Sequence, residues 1–289
     1  MNAGLSASIQ ARLSSRAKAR GEDFHAVLIQ FGIERFLFRL SRSSMQDRLV
    51  LKGALLFDLW FDVPHRPTRD ADFLGLGAID ETSLQAVLRE ACAIPVEDGM
   101  IFDADSIRIG QIREEARYGG LRATLQGRLG RARCPVQIDV GYGDVVTPGP
   151  DEAIYPTLLD DLPPPRLRVY PRQTVVAEKL EAIVSLGMTN SRMKDYFDLC
   201  ALAHEGEVDP GMLAHAIGAT FARRHTPLPL ELPIGLTDEF AQDRVKRLQW
   251  EGFLAKNRLQ APSLEIVVRE VRALVEAPLD AACKLQGRA

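Results

Sequence analysis

Two aspartates one residue apart, Asp70 and Asp72, lie in the stretch Leu51 to Leu76, LKGALLFDLWFDVPHRPTRDADFLGL. Side chains at i and i+2 of an extended chain point to the same face, so an extended Arg69 to Leu74 aims both carboxylates at one point. Like charges held side by side repel, and a divalent cation between them relieves the repulsion. Mg²⁺ is a hard ion that favours carboxylates together with the phosphate oxygens of a substrate. The pair therefore points to metal-assisted chemistry on a phosphate. Asp103 and Asp105 share the spacing, so the surroundings must single out Asp70 and Asp72.

Upstream, Val50 to Trp60 is mostly apolar and is broken by Gly53, which fits a helix or a strand-to-helix turn that brings backbone N–H groups near a ligand. Lys52 beside it is placed to contact phosphate. Asp139 stands between Ile138 and Val140 in an alternating run, so its carboxylate lies on the face opposite those aliphatic side chains. On a strand neighbouring Asp70 and Asp72 it becomes the third metal ligand.

Further along, Val175, Val176, Leu180, Ile183 and Val184 form a helical apolar stripe with Lys179 beside it. A lysine there needs its ammonium to reach water or an anion. Snorkelling to solvent is one reading; a phosphate-binding cation reaching across a cleft between lobes is the functional one. The next segment, SRMKDYFDLCALA from Ser191, sets Asp195 and Asp198 three apart on one helix face, near Arg192 and Lys194. Lys194 and Asp198 could form a surface i,i+4 pair. Alternatively, Asp198 and Asp195 orient Lys179 or a bound nucleotide.

Arginines gather in three places: Arg113, Arg117, Arg122, Arg128, Arg131 and Arg133, which outweigh Glu114 and Glu115; Arg166, Arg168 and Arg172; and Arg223, Arg224 and His225. Any one is usually a solvated face, but three beside a phosphate-transfer motif suggest a polyanionic substrate. The net charge of −3 and pI near 6.0 exclude a wholesale nucleic-acid coat. Cys92, Cys134, Cys200 and Cys283 are far apart, with no C-x-x-C pair and no neighbouring His at metal-ligand spacing, so neither a zinc site nor a disulfide framework is expected. An apolar fraction of 46% with 26% charged residues is that of a globular chain rather than a disordered one. Met1 to Arg20 lacks the apolar core of a secretory signal, and no apolar run is long enough to span a bilayer, so a cytoplasmic location is expected.

These residues need elements to position them. Phe24 to Leu40 has the apolar spacing of an amphipathic helix, or of two broken at Gly32, and Ile79 to Cys92 predicts a helix. From Asp105 to Val146 the pattern shortens to alternating runs, predicting strands around Ile107, Leu121 to Leu125 and Val136 to Val140, with turns at Gly119-Gly120 and Gly127 to Gly130. Pro148, Pro150, Pro156, Pro163, Pro164, Pro165 and Pro171 predict a linker without regular structure. Helical patterns follow at Gln173 to Leu186, Ser191 to His204, Pro210 to Ala222, Thr237 to Asn257 and Leu264 to Leu274. The expected domains are 1–150, a linker at 151–172, and a helical domain at 173–289.

Taken together, RFLFRLSRS from Arg35, RLVLKGALLF from Arg48, RPTRDADFLG from Arg66, QIDVGYGDVV from Gln137, VVAEKLEAIV from Val175 and SRMKDYFDL from Ser191 resemble the AbiEii/AbiGii toxin family of nucleotidyltransferases, within the DNA polymerase β-like superfamily. The resemblance runs over roughly residues 20 to 260. It implies an α+β fold, with a nucleotidyltransferase-type mixed sheet flanked by helices and a C-terminal helical lobe. It implies a toxin of a toxin–antitoxin or phage-defence system that transfers a nucleotide from an NTP to RNA, such as the 3′ end of tRNA, and so stops translation. By position, Asp70, Asp72 and Asp139 resemble the ligands of Mg²⁺, as a single ion or a pair. Thr68 resembles the hydroxyl residue before the pair, Lys179 the nucleotide-contacting lysine, and Asp198 the acid of the last motif. Lys52, Gly53, Arg69 and Asp195 join the expected nucleotide site. Ala54 stands where the superfamily often has Gly or Ser, so backbone contacts replace a hydroxyl there. The alternatives are nucleotide transfer to a protein side chain and a partner-binding module with a decayed site; a cognate antitoxin is an expected partner.

Overall fold

The structure, a computed structural model, describes residues 3–61, 65–112, 119–205 and 207–287. It divides into two compact units, one of residues 1–143 and 151–169 and the other of 144–150 and 170–289.

The first unit begins with α1 (Ala3–Arg20) and α2 (Phe24–Leu40). The Asp23 carboxylate accepts from the Ala26 N–H at 2.9 Å, satisfying a donor that the start of α2 would leave unpaired. Where an amphipathic or broken helix is expected, α2 is continuous and every residue from Phe31 to Leu40 is buried. Gly32 does not end the helix. A Cβ there would lie 2.0 Å from the Cys134 Sγ, so the missing side chain lets α2 close on the sheet. The charges this buries are paired: Glu34 with Arg35 at 2.7 Å, and Arg39 with Asp98 through hydrogen bonds of 2.7 and 3.0 Å.

The sheet follows. β1 (Leu49–Lys52) runs into a 3-10 turn at Gly53–Leu56 and then α3 (Phe57–Trp60), so the strand-to-helix reading of this stretch is the one observed. β2 (Asp70–Gly75) precedes α4 (Glu81–Ala93), which Asp80 and Ser83 cap reciprocally at 2.7 and 3.0 Å. β3 (Met100–Gln111), β4 (Gly120–Leu129), β5 (Ala132–Tyr142), β6 (Asp151–Ile154) and β7 (Arg166–Val169) complete a seven-stranded sheet of order β3-β4-β5-β2-β1-β7-β6. β2 pairs parallel with β5 and β1 parallel with β7, while the other neighbours are antiparallel. The mixed α/β architecture expected from the sequence is present.

Two expectations for this unit need correction. Gly127 lies inside β4, and the turn is at Gly130 and Arg131. A Cβ at Gly127 would press on Met100 and Phe102, so this glycine serves packing. The proline-rich segment is not structureless: its prolines flank β6 and β7 rather than interrupt them, and 151–169 belongs to the first unit. The segment is tied to α2 and α3, because Leu158 N–H donates to Glu34 at 2.6 Å, Arg35 to the Pro163 carbonyl at 3.0 Å, and the Tyr155 hydroxyl to Asp58 at 2.6 Å.

The second unit is helical: α5 (Arg172–Leu186), α6 (Met193–Glu205), α7 (Pro210–Arg224), α8 (Asp238–Gln242), α9 (Arg244–Asn257) and α10 (Leu264–Leu285). The single helix expected over Thr237 to Asn257 is two, because the Asp243 carboxylate accepts from the N–H groups of Val245 and Lys246 and starts α9. α10 runs past Leu274 and through Pro278, since Val275, Leu279, Ala282 and Cys283 continue its buried stripe. Among the described residues, no helix is long and apolar enough to cross a membrane.

Candidate functional site

In the first unit, strand pairing sets four charged residues in one row. Arg122 on β4 faces Asp139 on β5, Asp139 faces Asp72 on β2, and Asp72 faces Lys52 on β1. Directly paired residues present their side chains on one face, so the row alternates as cation, acid, acid, cation. Asp70 lies two residues before Asp72 and on the same face. Ligand oxygens of Asp70, Asp72 and Asp139 all lie within 4.8 Å of one another. Asp139 is buried at 9% exposure, while Asp70 and Asp72 are half-buried. Three carboxylates supply only hard oxygen donors and leave positions open for substrate or water. This set fits a hard divalent cation such as Mg²⁺ and not a thiophilic one.

Arg122, expected as part of a basic patch, instead grips one of the three acids. Its Nε donates to Asp139 Oδ1 at 2.9 Å and its Nη2 to Oδ2 at 2.6 Å, the two-pronged geometry that fixes a carboxylate's plane. The Thr68 hydroxyl donates to Asp70 Oδ1 at 2.7 Å and orients the first acid. Gly53 sits directly against the second. It adopts φ +75°, and a Cβ there would stand 2.2 Å from Asp72 Oδ2. Only glycine allows the β1 turn to approach Asp72 this closely. The Lys52 ammonium lies 3.8 Å from the Cβ position of Gly141 on β5, so its side chain extends over the same face of the sheet. Arg69 is exposed.

The second unit holds its own charged cluster. The Lys179 Nζ donates to Asp195 Oδ1 at 2.8 Å and to Asp198 Oδ2 at 2.6 Å, while Arg192 Nε reaches Asp195 Oδ2 at 2.6 Å. Both acids are buried, Asp198 completely, so the surface pair with Lys194 is not the role Asp198 takes. Burial works against the charge of Asp195, but Lys179 and Arg192 outweigh it and hold the carboxyl below its ordinary range. Lys179 therefore does not simply snorkel: its side chain is 14% exposed and is oriented by both acids, as the spacing on α6 suggests.

The basic patches fare differently. Arg113 and Arg117, with Glu114 and Glu115, lie outside the described residues. Arg128, Arg131 and Arg133 are exposed at the tip of the β4–β5 hairpin, with Arg128 directly opposite Arg133. Arg168 donates to the Asp47 carbonyl at 2.6 Å, and Arg172 pairs with Glu207. Arg224 is not a free basic site, because Asp144, Glu178 and Glu181 surround it at 3.1, 3.2 and 2.9 Å. Burial opposes its charge, and these three carboxylates more than restore it.

Residues 35–277 match the family described as nucleotidyl transferase AbiEii toxin of type IV toxin–antitoxin systems. No curated protein matches the chain. Among solved structures, one described as a nucleotidyltransferase candidate from H. pylori is similar at 18% identity, over 87% of this chain and 93% of that one, with a TM-score of 0.49. JHP933 from Helicobacter pylori is similar at 16% identity, over 88% and 91%, also with a TM-score of 0.49.

Proposed function

The chain belongs to the AbiEii nucleotidyltransferase toxin family, and from that membership we propose that it moves a nucleotide from an NTP onto an RNA acceptor, the 3′ end of tRNA, releasing pyrophosphate. The observation that carries this reading is the convergence of Asp70, Asp72 and Asp139 from two paired strands onto one point beside the Gly53 turn. These three residues would hold Mg²⁺, which when bound supplies Lewis-acid polarisation of the α-phosphate and charge neutralisation on pyrophosphate.

The residues divide the remaining work. Thr68 fixes Asp70, and Arg122 fixes Asp139 so that its oxygens stay aimed at the reaction centre. The Gln137 amide also reaches both Asp139 oxygens, at 3.4 and 3.5 Å, longer than the bonds from Arg122, and the carboxylate takes the proton of the attacking hydroxyl. Lys52, Arg69 and the backbone at Gly53 bind the triphosphate. Lys179, oriented by Asp195 and Asp198, is assigned to the nucleotide by its place in the family's motif. The cognate partner is an antitoxin, and the setting is inhibition of translation during phage defence.

An RNA acceptor is favoured by the face of the β4–β5 hairpin. Arg122, Thr124, Gln126 and Arg128 alternate to one side of β4, and Arg133 and Gln137 share that side on β5. This exposed polar track runs from Asp139 to Arg128 and Arg133, about 20 Å at strand rise. Facing arginines repel unless an anion lies between them, and a phosphate backbone supplies one. The test is incubation of the full chain with each labelled NTP and either total RNA or cell protein. We expect label at the 3′ end of tRNA, lost by at least about 100-fold in Asp72→Ala and falling steeply with added salt. Label confined to protein overturns the RNA reading. An Asp72→Ala protein as toxic as the parent overturns catalysis altogether.

A further inference from the structure

Cys200 and His204 stand four positions apart on α6, which places the thiol and the imidazole on one helix face. The expectation that no cysteine has a histidine at metal-ligand spacing is corrected here, because Cys200 and His204 stand at i,i+4 on one helix. Glu270 on α10 meets both residues. Its Oε2 lies 3.0 Å from the Cys200 Sγ and 3.0 Å from the His204 Nε2. The three ligand atoms all fall within 4.8 Å of one another. Cys200 forms the buried floor at 7% exposure, and the side chains of His204 and Glu270 are 61% and 28% exposed, so the cluster opens to solvent on one side.

We propose that Cys200, His204 and Glu270 form a zinc site that ties α6 to α10. The donor set carries the argument. One thiolate, one imidazole nitrogen and one carboxylate oxygen are the ligand types zinc favours, and water fills the fourth tetrahedral position on the open side. Zinc–ligand bonds of about 2.0 to 2.3 Å set neighbouring donors roughly 3.5 Å apart, so the cluster need open by only about half an ångström. The thiol makes this site unlike the carboxylates of the sheet: sulfur and imidazole select a softer ion, and oxygen alone selects Mg²⁺. As the Zn–S bond forms, the S–H bond breaks and its proton passes to solvent; His204 ligates through Nε2 in its neutral form and Glu270 as carboxylate. No electron changes hands. The inference stands on the second unit alone and does not depend on the proposed nucleotide transfer.

The test uses the full chain stripped with a chelator and titrated with Co²⁺ and then Zn²⁺. Thiolate-to-cobalt charge-transfer absorption should appear, should vanish as Zn²⁺ displaces Co²⁺, and should be absent in Cys200→Ser. A chromogenic zinc chelator in competition should report a single tight site, weakened about 100-fold or more in His204→Ala, since loss of an outer-shell partner alone commonly costs 10- to 100-fold. Asp72→Asn should leave that site intact. Absence of the charge-transfer band in the parent, or its persistence in Cys200→Ser, overturns the proposal. So does zinc binding that Asp72→Asn abolishes and His204→Ala does not change, which would assign the ion to the carboxylates of the sheet. Cys200 is buried, so the lost band counts only if Cys200→Ser keeps the parent's circular dichroism; the parent spectrum and the exposed His204→Ala variant decide the outcome without it.

Discussion

Asp139 carries two demands, since it faces another carboxylate across the β2–β5 pair and is gripped by Arg122 from β4. With no cation present, Arg122 and Lys52 at the ends of the row are the charges that balance the acids between them. Removing Arg122 shifts that balance toward the metal. Arg122→Ala should destabilise chelator-treated protein by about 1 kcal/mol, since the guanidinium is half-exposed although Asp139 is buried, so its melting temperature should fall, and Mg²⁺ should raise that temperature more than it raises the parent's. Equal Mg²⁺ shifts in thermal scans of the two proteins would contradict this balance. The Asp70 and Asp72 pair was legible because a period of two is local to one strand. Arg122 was not, because its partner is fixed by hairpin register. A turn placed at Gly130-Arg131 pairs Leu129 with Ala132 and, counting back, Arg122 with Asp139, whereas a turn spread over Gly127 to Gly130 loses that count.

Glu34 is the other residue whose surroundings change its chemistry. Burial pushes its carboxyl up to about 7 despite Arg35 beside it. The folded protein then keeps a proton that the unfolded chain has already released, so stability is greatest below the ordinary value of 4.5 and is lost as pH rises through about 7. The span is on the order of 3 kcal/mol at most. Glu34→Gln cannot titrate, and urea unfolding across this range should show a flatter pH dependence than the parent.

At the scale of elements, the turn from β1 into its 3-10 helix is the piece that admits Asp72 to the site. Gly53→Ala places a methyl group in the left-handed region and against the Asp72 carboxylate at once. The backbone strain alone costs about 1 kcal/mol. The displaced carboxylate should cost more in function than in stability: nucleotide transfer and Mg²⁺ affinity should fall by tenfold or more, on the order of 1.4 kcal/mol, while the helical content by circular dichroism stays that of the parent. Unchanged Mg²⁺ affinity would show that Asp72 tolerates the contact. The sequence left this stretch open between a helix and a strand-to-helix turn, since an apolar run broken by one glycine fits both. It hid the packing role of Gly32 and Gly127, because the atoms those glycines approach, on Cys134, Met100 and Phe102, come from distant parts of the chain.

At the scale of the whole molecule, the two units are interleaved in sequence: the chain leaves the first at Gly143, contributes 144–150 to the second, returns for 151–169 and leaves again. Proline content concealed the return. β6 and β7 have four residues each and contain no proline, so density of proline nearby says little about the strands themselves. A chain ended at Gly143 keeps Asp70, Asp72 and Asp139 and the β2 side of β1, but leaves the other edge of β1 open at Val50 and Leu51, where Arg168 and Val169 pair in the full chain. Exposed apolar edges recruit other edges. Size-exclusion chromatography should find this fragment aggregated, and a soluble monomer would contradict the requirement for β7.

The parallel β1–β7 pairing also sets an order of events at the ribosome. All three carboxylates of the sheet have been synthesised by Asp139, yet β1 waits beside an open edge until Val169 has emerged. For that interval a nascent chain carries its reactive groups on an unfinished scaffold. The sheet that carries the three carboxylates is therefore complete only once the strand that closes it has been translated.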